Sequence, residues 1–110
     1  SLRLLLEVSG HRVDVAQNGF DGLEMALTNH PEVAIVDIGI PGIDGYQVAR
    51  EIRAADGGHH VYLVALTGYG QPIDRRRALE SGFNEHMVKP VERERLIRML
   101  AGIQPAADAA

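Results

Sequence analysis

The sequence predicts an α/β fold in which a parallel sheet is covered by helices on both faces. Segments with helical spacing alternate with strand-like segments along the whole chain, joined by short connections. That order is expected when each crossover between parallel strands is a helix. Two strand-like segments, Val33-Ala34-Ile35-Val36 and Val61-Tyr62-Leu63-Val64-Ala65-Leu66, are apolar without alternation, as strands buried on both faces are. The length, 110 residues, suits one domain, and 45% apolar with 24% charged residues is an ordinary globular mixture.

Taken in order, Leu2, Leu5, Leu6 and Ser9 share a helical face, and Gly10 supplies a stop. Arg12 to Ala16 alternates polar and apolar and predicts a strand with one wet face. Asn18-Gly19 turns the chain into a helix carrying Phe20, Leu23, Ala26 and Leu27. Pro31 disfavours helical geometry at His30, so this helix ends by about Asn29. After Val33 to Val36 comes Asp37, then a loop from Ile38 to Ile43. Asp44 is an N-cap candidate, with Gln47 three residues on, for a helix carrying Val48, Ile52 and Ala55 toward Gly57-Gly58. The second apolar strand ends at Thr67-Gly68. A helix is expected from about Pro72 to Ser81, stopped by Gly82. Glu85 to Val88 is a short mixed strand ended by Lys89-Pro90. Leu96, Met99, Leu100 and Ile103 recur at i, i+3, i+4 and i+7 in a final helix. Two units follow: a domain over 1–103 and a frayed tail over 104–110. The two apolar strands are expected at the centre of the sheet and the mixed ones at its edges.

Composition excludes several functions. With no cysteine there are no disulfides, thiolate nucleophiles or Cys-ligated metals, which fits a reducing, cytoplasmic setting. The net charge is −4, so the chain carries no general signal for nucleic acid. The run Arg75-Arg76-Arg77 reads as a solvated helix face. No apolar run is long enough to cross a membrane, and no signal peptide opens the chain. The opening at Ser1, directly in an amphipathic pattern, is read as a start partway into a longer protein. His59-His60 in a Gly-flanked loop lacks partners at ligand spacing, and Gly68-Tyr69-Gly70 lacks the Gly-Lys-Ser/Thr of a phosphate loop.

Asp37, Thr67 and Lys89 each stand directly after a strand. Ligands of open parallel sheets bind beyond the carboxyl ends of the strands, so the three should share one rim. Asp37 brings a nucleophilic carboxylate, Thr67 a hydroxyl donor and Lys89 a compact positive charge. Phosphoryl transfer needs little beyond such positioning and neutralisation. Alone, Asp37 reads equally well as a loop or helix cap. The other two residues shift the balance.

The stretches Val33 to Gly45 (VAIVDIGIPGIDG), Val64 to Gly70 (VALTGYG) and Gly82 to Pro90 (GFNEHMVKP) resemble the response-regulator receiver domains of two-component phosphorelays. The resemblance runs from about Leu2 to Ile103. It implies a flavodoxin-like fold and a phosphoryl group accepted on Asp37 from a histidine kinase or phosphotransfer protein. Thr67 would be the switch hydroxyl, Lys89 the phosphate-contacting lysine, and Lys89-Pro90 a candidate cis peptide. Asp37 and the backbone carbonyl of Gly39 would be ligands to Mg²⁺, and a downstream protein or domain would read the switched face. The LTGYGQP segment especially resembles receivers at the C-terminus of hybrid sensor histidine kinases, which leaves open whether the parent protein is itself an enzyme.

Two departures stand out. The family's first strand, with the acidic pair that follows it, is absent from the sequence. Three readings follow: the natural protein carries that strand, the chain exchanges a strand with another copy as a dimer or oligomer, or it is a degenerate, phosphorylation-independent interaction module. His86 is the second departure, standing where many receivers place a switch Tyr or Phe. Of rival classes, a haloacid-dehalogenase-type phosphatase needs a second Asp two residues after the first, and that position is Gly39. A flavin domain of the same topology lacks its phosphate-cradling Ser, Thr and Gly run.

Overall fold

In the computed structural model, residues 2–8, 10, 14–39, 41–55, 58–68 and 74–103 are described. The helices are α1 (Leu2–Val8), α2 (Gly19–Asn29), α3 (Gly45–Ala54), α4 (Arg75–Ser81) and α5 (Arg93–Ala101), and the strands are β1 (Val33–Asp37), β2 (Tyr62–Thr67) and β3 (Glu85–Val88). A 3-10 turn, Gly58–His60, precedes β2. The strands form a parallel sheet in the order β1-β2-β3. Val33 pairs with Tyr62 and Asp37 with Leu66 on one side of β2, and Val64 pairs with Glu85 and Thr67 with Val88 on the other.

Both faces of β2 are buried, and its alternate residues supply two cores. Leu63 and Ala65 pack with Val36, Tyr46, Val48, Ala49, Ile52, Ala78 and Phe83 on one face. Val64 and Leu66 pack with Met87 and Leu96 on the other, where Leu2, Leu5 and Leu6 of α1 also lie. Leu2, Leu5 and Leu6 of the face predicted for the first helix are thus partly buried against this core, and Ser9 lies outside the described residues. Tyr46 and Phe83 meet edge to face, with centroids 6.4 Å apart.

Local signals set the helix ends. The Asn18 side chain accepts the Asp21 N–H at the start of α2. At its end His30 turns left-handed (φ 49°), a geometry compatible with the following Pro31 where a helical one is disfavoured. Asp44 caps α3 by accepting from the Gln47 N–H at 2.8 Å, and Asp74 caps α4 by accepting from the Arg77 N–H at 3.0 Å. The helix expected from Pro72 thus begins three residues later, because Asp74 takes the cap. Pro72 itself lies outside the described residues. Gly82 ends α4 at φ 106°, where an added Cβ would fall 2.6 Å from Cγ of Arg53. The last helix stops at Ala101, so Ile103, expected on its apolar stripe, lies beyond it.

Three further expectations need correction. Asp14 to Ala16 are not in a strand, and Arg12 and Val13 lie outside the described residues. A strand requires a ladder partner, and no described strand lies on that side of β1. For the same reason β1 is not central. It forms an edge of the described sheet, and Val33, Ala34 and Ile35 are only partly buried despite their apolar run. Beside this edge lies a slot of about 810 Å³, bordered by Leu2 and Leu6 of α1, Met25 and Ala26 of α2, and Leu100. Finally, Phe20 and Leu27 of α2 are exposed (61% and 40%), whereas Ala26 is buried and Leu23 packs on the core. The tail 104–110 lies outside the described residues.

Arg53, near the end of α3, ties the fold together at the end of the sheet opposite the strand C-termini. Its guanidinium donates to the carbonyls of Gly58, Val61 and Gly82 and to Oδ1 of Asn84, at 2.6–2.9 Å. Asn84 Oδ1 also accepts the Leu63 N–H at 2.8 Å. A single planar cation thus joins α3, the 3-10 turn, the entry to β2 and the end of α4. Burial lowers its pKa, but a guanidinium stays charged. Arg53→Met should cost about 2 kcal/mol, since it leaves carbonyls at a partly buried junction without a charged donor. A urea denaturation midpoint unchanged from the parent chain would refute this role.

Candidate functional site: a strand-end rim

The parallel register brings the three strand ends side by side. Asp37 closes β1 opposite Leu66, and the Ile38 N–H donates to the Leu66 carbonyl at 2.9 Å. Thr67 closes β2, fully buried. The Lys89 N–H donates to the Thr67 carbonyl at 2.7 Å, which fixes the backbone just past β3 against the end of β2. The Lys89–Pro90 peptide bond is cis. All three predicted residues therefore stand on one rim.

Asp37 and Lys89 are joined directly. The Lys89 ammonium donates to Oδ2 of Asp37, crossing over the end of β2, while the Gly39 N–H donates to Oδ1 at 2.9 Å. The carboxylate is one-third exposed, so an incoming group can reach it. A cation beside a reachable carboxylate can neutralise charge that accumulates on a phosphoryl group.

Thr67 faces the other way along the rim. Its Oγ1 lies 3.1 Å from Nε2 of His86. His86 sits on β3 opposite Ala65, with its N–H donated to Oε1 of Glu85 at 2.9 Å and its carbonyl accepting from Arg95 of α5, also at 2.9 Å. Its pKa is lowered, first by burial and then by the charges of Arg75 and Arg95, with Glu85 acting in the opposite direction. Sequence reasoning singled out His86 for its position but missed this contact and the two arginines. A register placing His86 two residues short of the Thr67 pairing was the only signal for it.

The remaining candidates are structural. Asp44 caps α3 and lies 3.6 Å from Arg77. Arg77 also stacks over the Tyr46 ring at 4.2 Å, and Arg76 pairs with Glu80, so these two members of the arginine run have partners on the fold itself. Tyr69, Gly70 and the His59 side chain lie outside the described residues. No three His, Asp or Glu side chains gather as a metal cage among the described residues. The Asp37 carboxylate brings hard oxygens to the rim, and the Gly39 carbonyl implied by the resemblance would be of the same kind. Such oxygens suit a cation such as Mg²⁺, which keeps most of its ligands as water and phosphate.

An α/β domain with a carboxylate, a hydroxyl and an ammonium at adjacent parallel strand ends defines a phosphoryl-accepting signalling domain. The chain belongs to the response regulator receiver domain family, whose model matches residues 1–101. It is 39% identical over 92 residues to the transcriptional regulatory protein AfsQ1 of Streptomyces coelicolor, an alignment covering 84% of this chain and 40% of that regulator. It is 29% identical over 102 residues to protein PilH of Pseudomonas aeruginosa, covering 93% of this chain and 84% of PilH. Among solved structures, the receiver domain of sensor histidine kinase PA1611 from Pseudomonas aeruginosa, with a magnesium ion coordinated in its active-site cleft, superposes with a TM-score of 0.83. That pair is 31% identical and covers 93% of this chain and 84% of the other. A chemotaxis protein CheY4 of Vibrio cholerae, 22% identical, shares the flavodoxin-like fold at the same TM-score, with 94% and 86% covered.

The lowered pKa of His86 has a consequence for stability. Unfolding returns the ring to an ordinary histidine, so the unfolded chain binds more protons between the folded pKa and about 6.5. The stability contribution of neutral His86 is full above about pH 6.5 and is lost as pH falls through that window. His86→Gln should remove this part of the acid sensitivity in urea denaturation. An identical pH slope in parent and variant would contradict the assignment.

Proposed function

We propose that Asp37 is the phospho-acceptor of this receiver domain, which spans 1–103, and that phosphorylation there switches a protein-binding face. The observation that carries this reading is the joint placement of Asp37, Thr67 and Lys89 at one rim with the Asp37 carboxylate still reachable. A carboxylate oxygen attacks phosphorus of a phosphohistidine on a kinase or phosphotransfer protein. The P–N bond breaks, and the released imidazole nitrogen takes a proton or keeps its lone pair. Lys89 transfers its contact from the carboxylate to the new phosphoryl oxygens, and Thr67 supplies a hydroxyl donor. Asp37 and the Gly39 carbonyl are the residues that would hold Mg²⁺, which supplies charge neutralisation when bound.

The output face in this reading is formed by α4, β3 and α5. Leu79, Val88 and Ile97, one on each element, are exposed at 74%, 42% and 39%, which suits a partner that buries apolar surface. Because the chain spans 40% of the length of AfsQ1, the output of a whole protein is a separate part of the reading. Membership in a hybrid kinase is favoured by the likeness to the PA1611 receiver. A cytoplasmic site is consistent with the absence of cysteine, and no described helix is long and apolar enough to cross a membrane. The intact three-residue set opposes a phosphorylation-independent module. Among the described residues β1 is an edge strand, which favours strand exchange between copies.

Incubation with acetyl phosphate and Mg²⁺ should add one acid-labile phosphoryl group, and Asp37→Asn should abolish it. Equal labelling of the variant would sink the assignment. Light scattering across a concentration series should show a dimer or larger species of the 110-residue chain. A monomer at every concentration would contradict strand exchange.

A further inference from the structure

Thr67 is fully buried, and among the described residues its hydroxyl approaches Nε2 of His86 at 3.1 Å. A hydroxyl has one hydrogen, a bare imidazole nitrogen only accepts, and an N–H only donates. The contact therefore has two polarities. With Nε2 bare, Thr67 gives its hydrogen to the ring and has none for another acceptor. With Nε2 protonated, Thr67 accepts from the ring and its own hydrogen is free to turn toward the adjacent strand end. An imidazolium carries hydrogen on both nitrogens, so only the second polarity survives protonation.

We infer that His86 makes this receiver responsive to protons: protonating it reverses the Thr67–His86 hydrogen bond, frees the Thr67 hydroxyl for a phosphoryl oxygen on Asp37, and so favours the phosphorylated state at lower pH. The inference rests on Asp37 being the acceptor. The Thr67–His86 contact itself persists, because donor and acceptor exchange roles across it.

The charges facing His86 set its working range. Arg75 of α4 and Arg95 of α5 oppose the imidazolium, and Glu85 of β3 favours it. Arg95 lies 3.7 Å from Glu85, so part of its charge is answered there. At the rim the Asp37 carboxylate is paired with Lys89, which leaves the strand ends nearly neutral before phosphorylation. A phosphoryl group adds charge of about −1.5 to −2. That charge favours the imidazolium, so proton binding and phosphorylation each strengthen the other by the same factor.

The test labels the chain with acetyl phosphate and Mg²⁺ from about pH 5.5 to about pH 8, scored as the ratio to a His86→Gln variant at each pH. The ratio cancels the pH dependence of the reagent. A glutamine amide does not titrate, and its NH2 can donate to Thr67 at every pH. The parent should match the variant at the acidic end and fall about fivefold below it at the basic end, the lower bound of typical coupling. Thr67→Ser should keep the dependence and Thr67→Val should remove it. A flat ratio in protein that is labelled at Asp37 overturns the inference and leaves the acceptor assignment standing. Labelling that survives Asp37→Asn overturns the assignment instead. A second readout needs no variant: the His86 pKa measured by NMR should be higher in phosphorylated than in unphosphorylated protein, and an unchanged or lower value overturns the inference.

Discussion

Parallel pairing on both sides of β2 is the constraint from which the site follows. Parallel strands end on the same side of a sheet, so residues that close successive strands become neighbours whatever their separation in sequence. Asp37 and Lys89 are 52 residues apart, yet they share an ion pair because β1 and β3 flank one strand in parallel. The pairing depends in turn on the apolar residues of β2, which anchor a core on each face. Leu63 and Ala65 hold α3 and α4, while Val64 and Leu66 hold α5 and α1. Those residues do no chemistry, but they set the distance between the groups that do.

The two ends of the sheet have opposite electrostatic designs. At the entry end, the Arg53 charge is consumed by fixed carbonyls and the Asn84 side chain, so it locks elements in place. At the exit end, the Lys89 charge is held by one partly exposed carboxylate, a partner that phosphorylation would alter. A cation bound to several backbone oxygens resists change. One bound to a single reactive group can respond to it. His86 adds a third arrangement, a ring whose pKa is lowered by burial and by two arginines.

Strand ends were legible in the sequence because a polar residue directly after an unbroken apolar run marks where the chain leaves the core. Asp37 and Thr67 were located that way, Lys89 by its place before Pro90 at the end of a mixed strand, and the Asp44 cap and the end of α2 by capping and proline signals. What escaped reading depended on partners distant in sequence. Arg53 looks like any solvent-facing helix residue until the 3-10 turn, Gly82 and Asn84 are folded around it. Phe20 and Leu27 fit an apolar stripe by spacing, but the small Ala26 makes the close contact and the larger residues remain outside. The run Val33 to Val36 predicts burial on both faces, a property of side chains. Whether its backbone edge is paired depends on another strand, and no pattern within the run carries that information.

The central claim is that Asp37, and no other carboxylate at the rim, carries the phosphoryl group. Borohydride reduces an acyl phosphate to an alcohol, so trapping followed by peptide mass spectrometry identifies the modified residue. Homoserine is expected in place of aspartate at position 37. Reduction at Asp44, or phosphoryl incorporation with Asp37 unreduced, would contradict it.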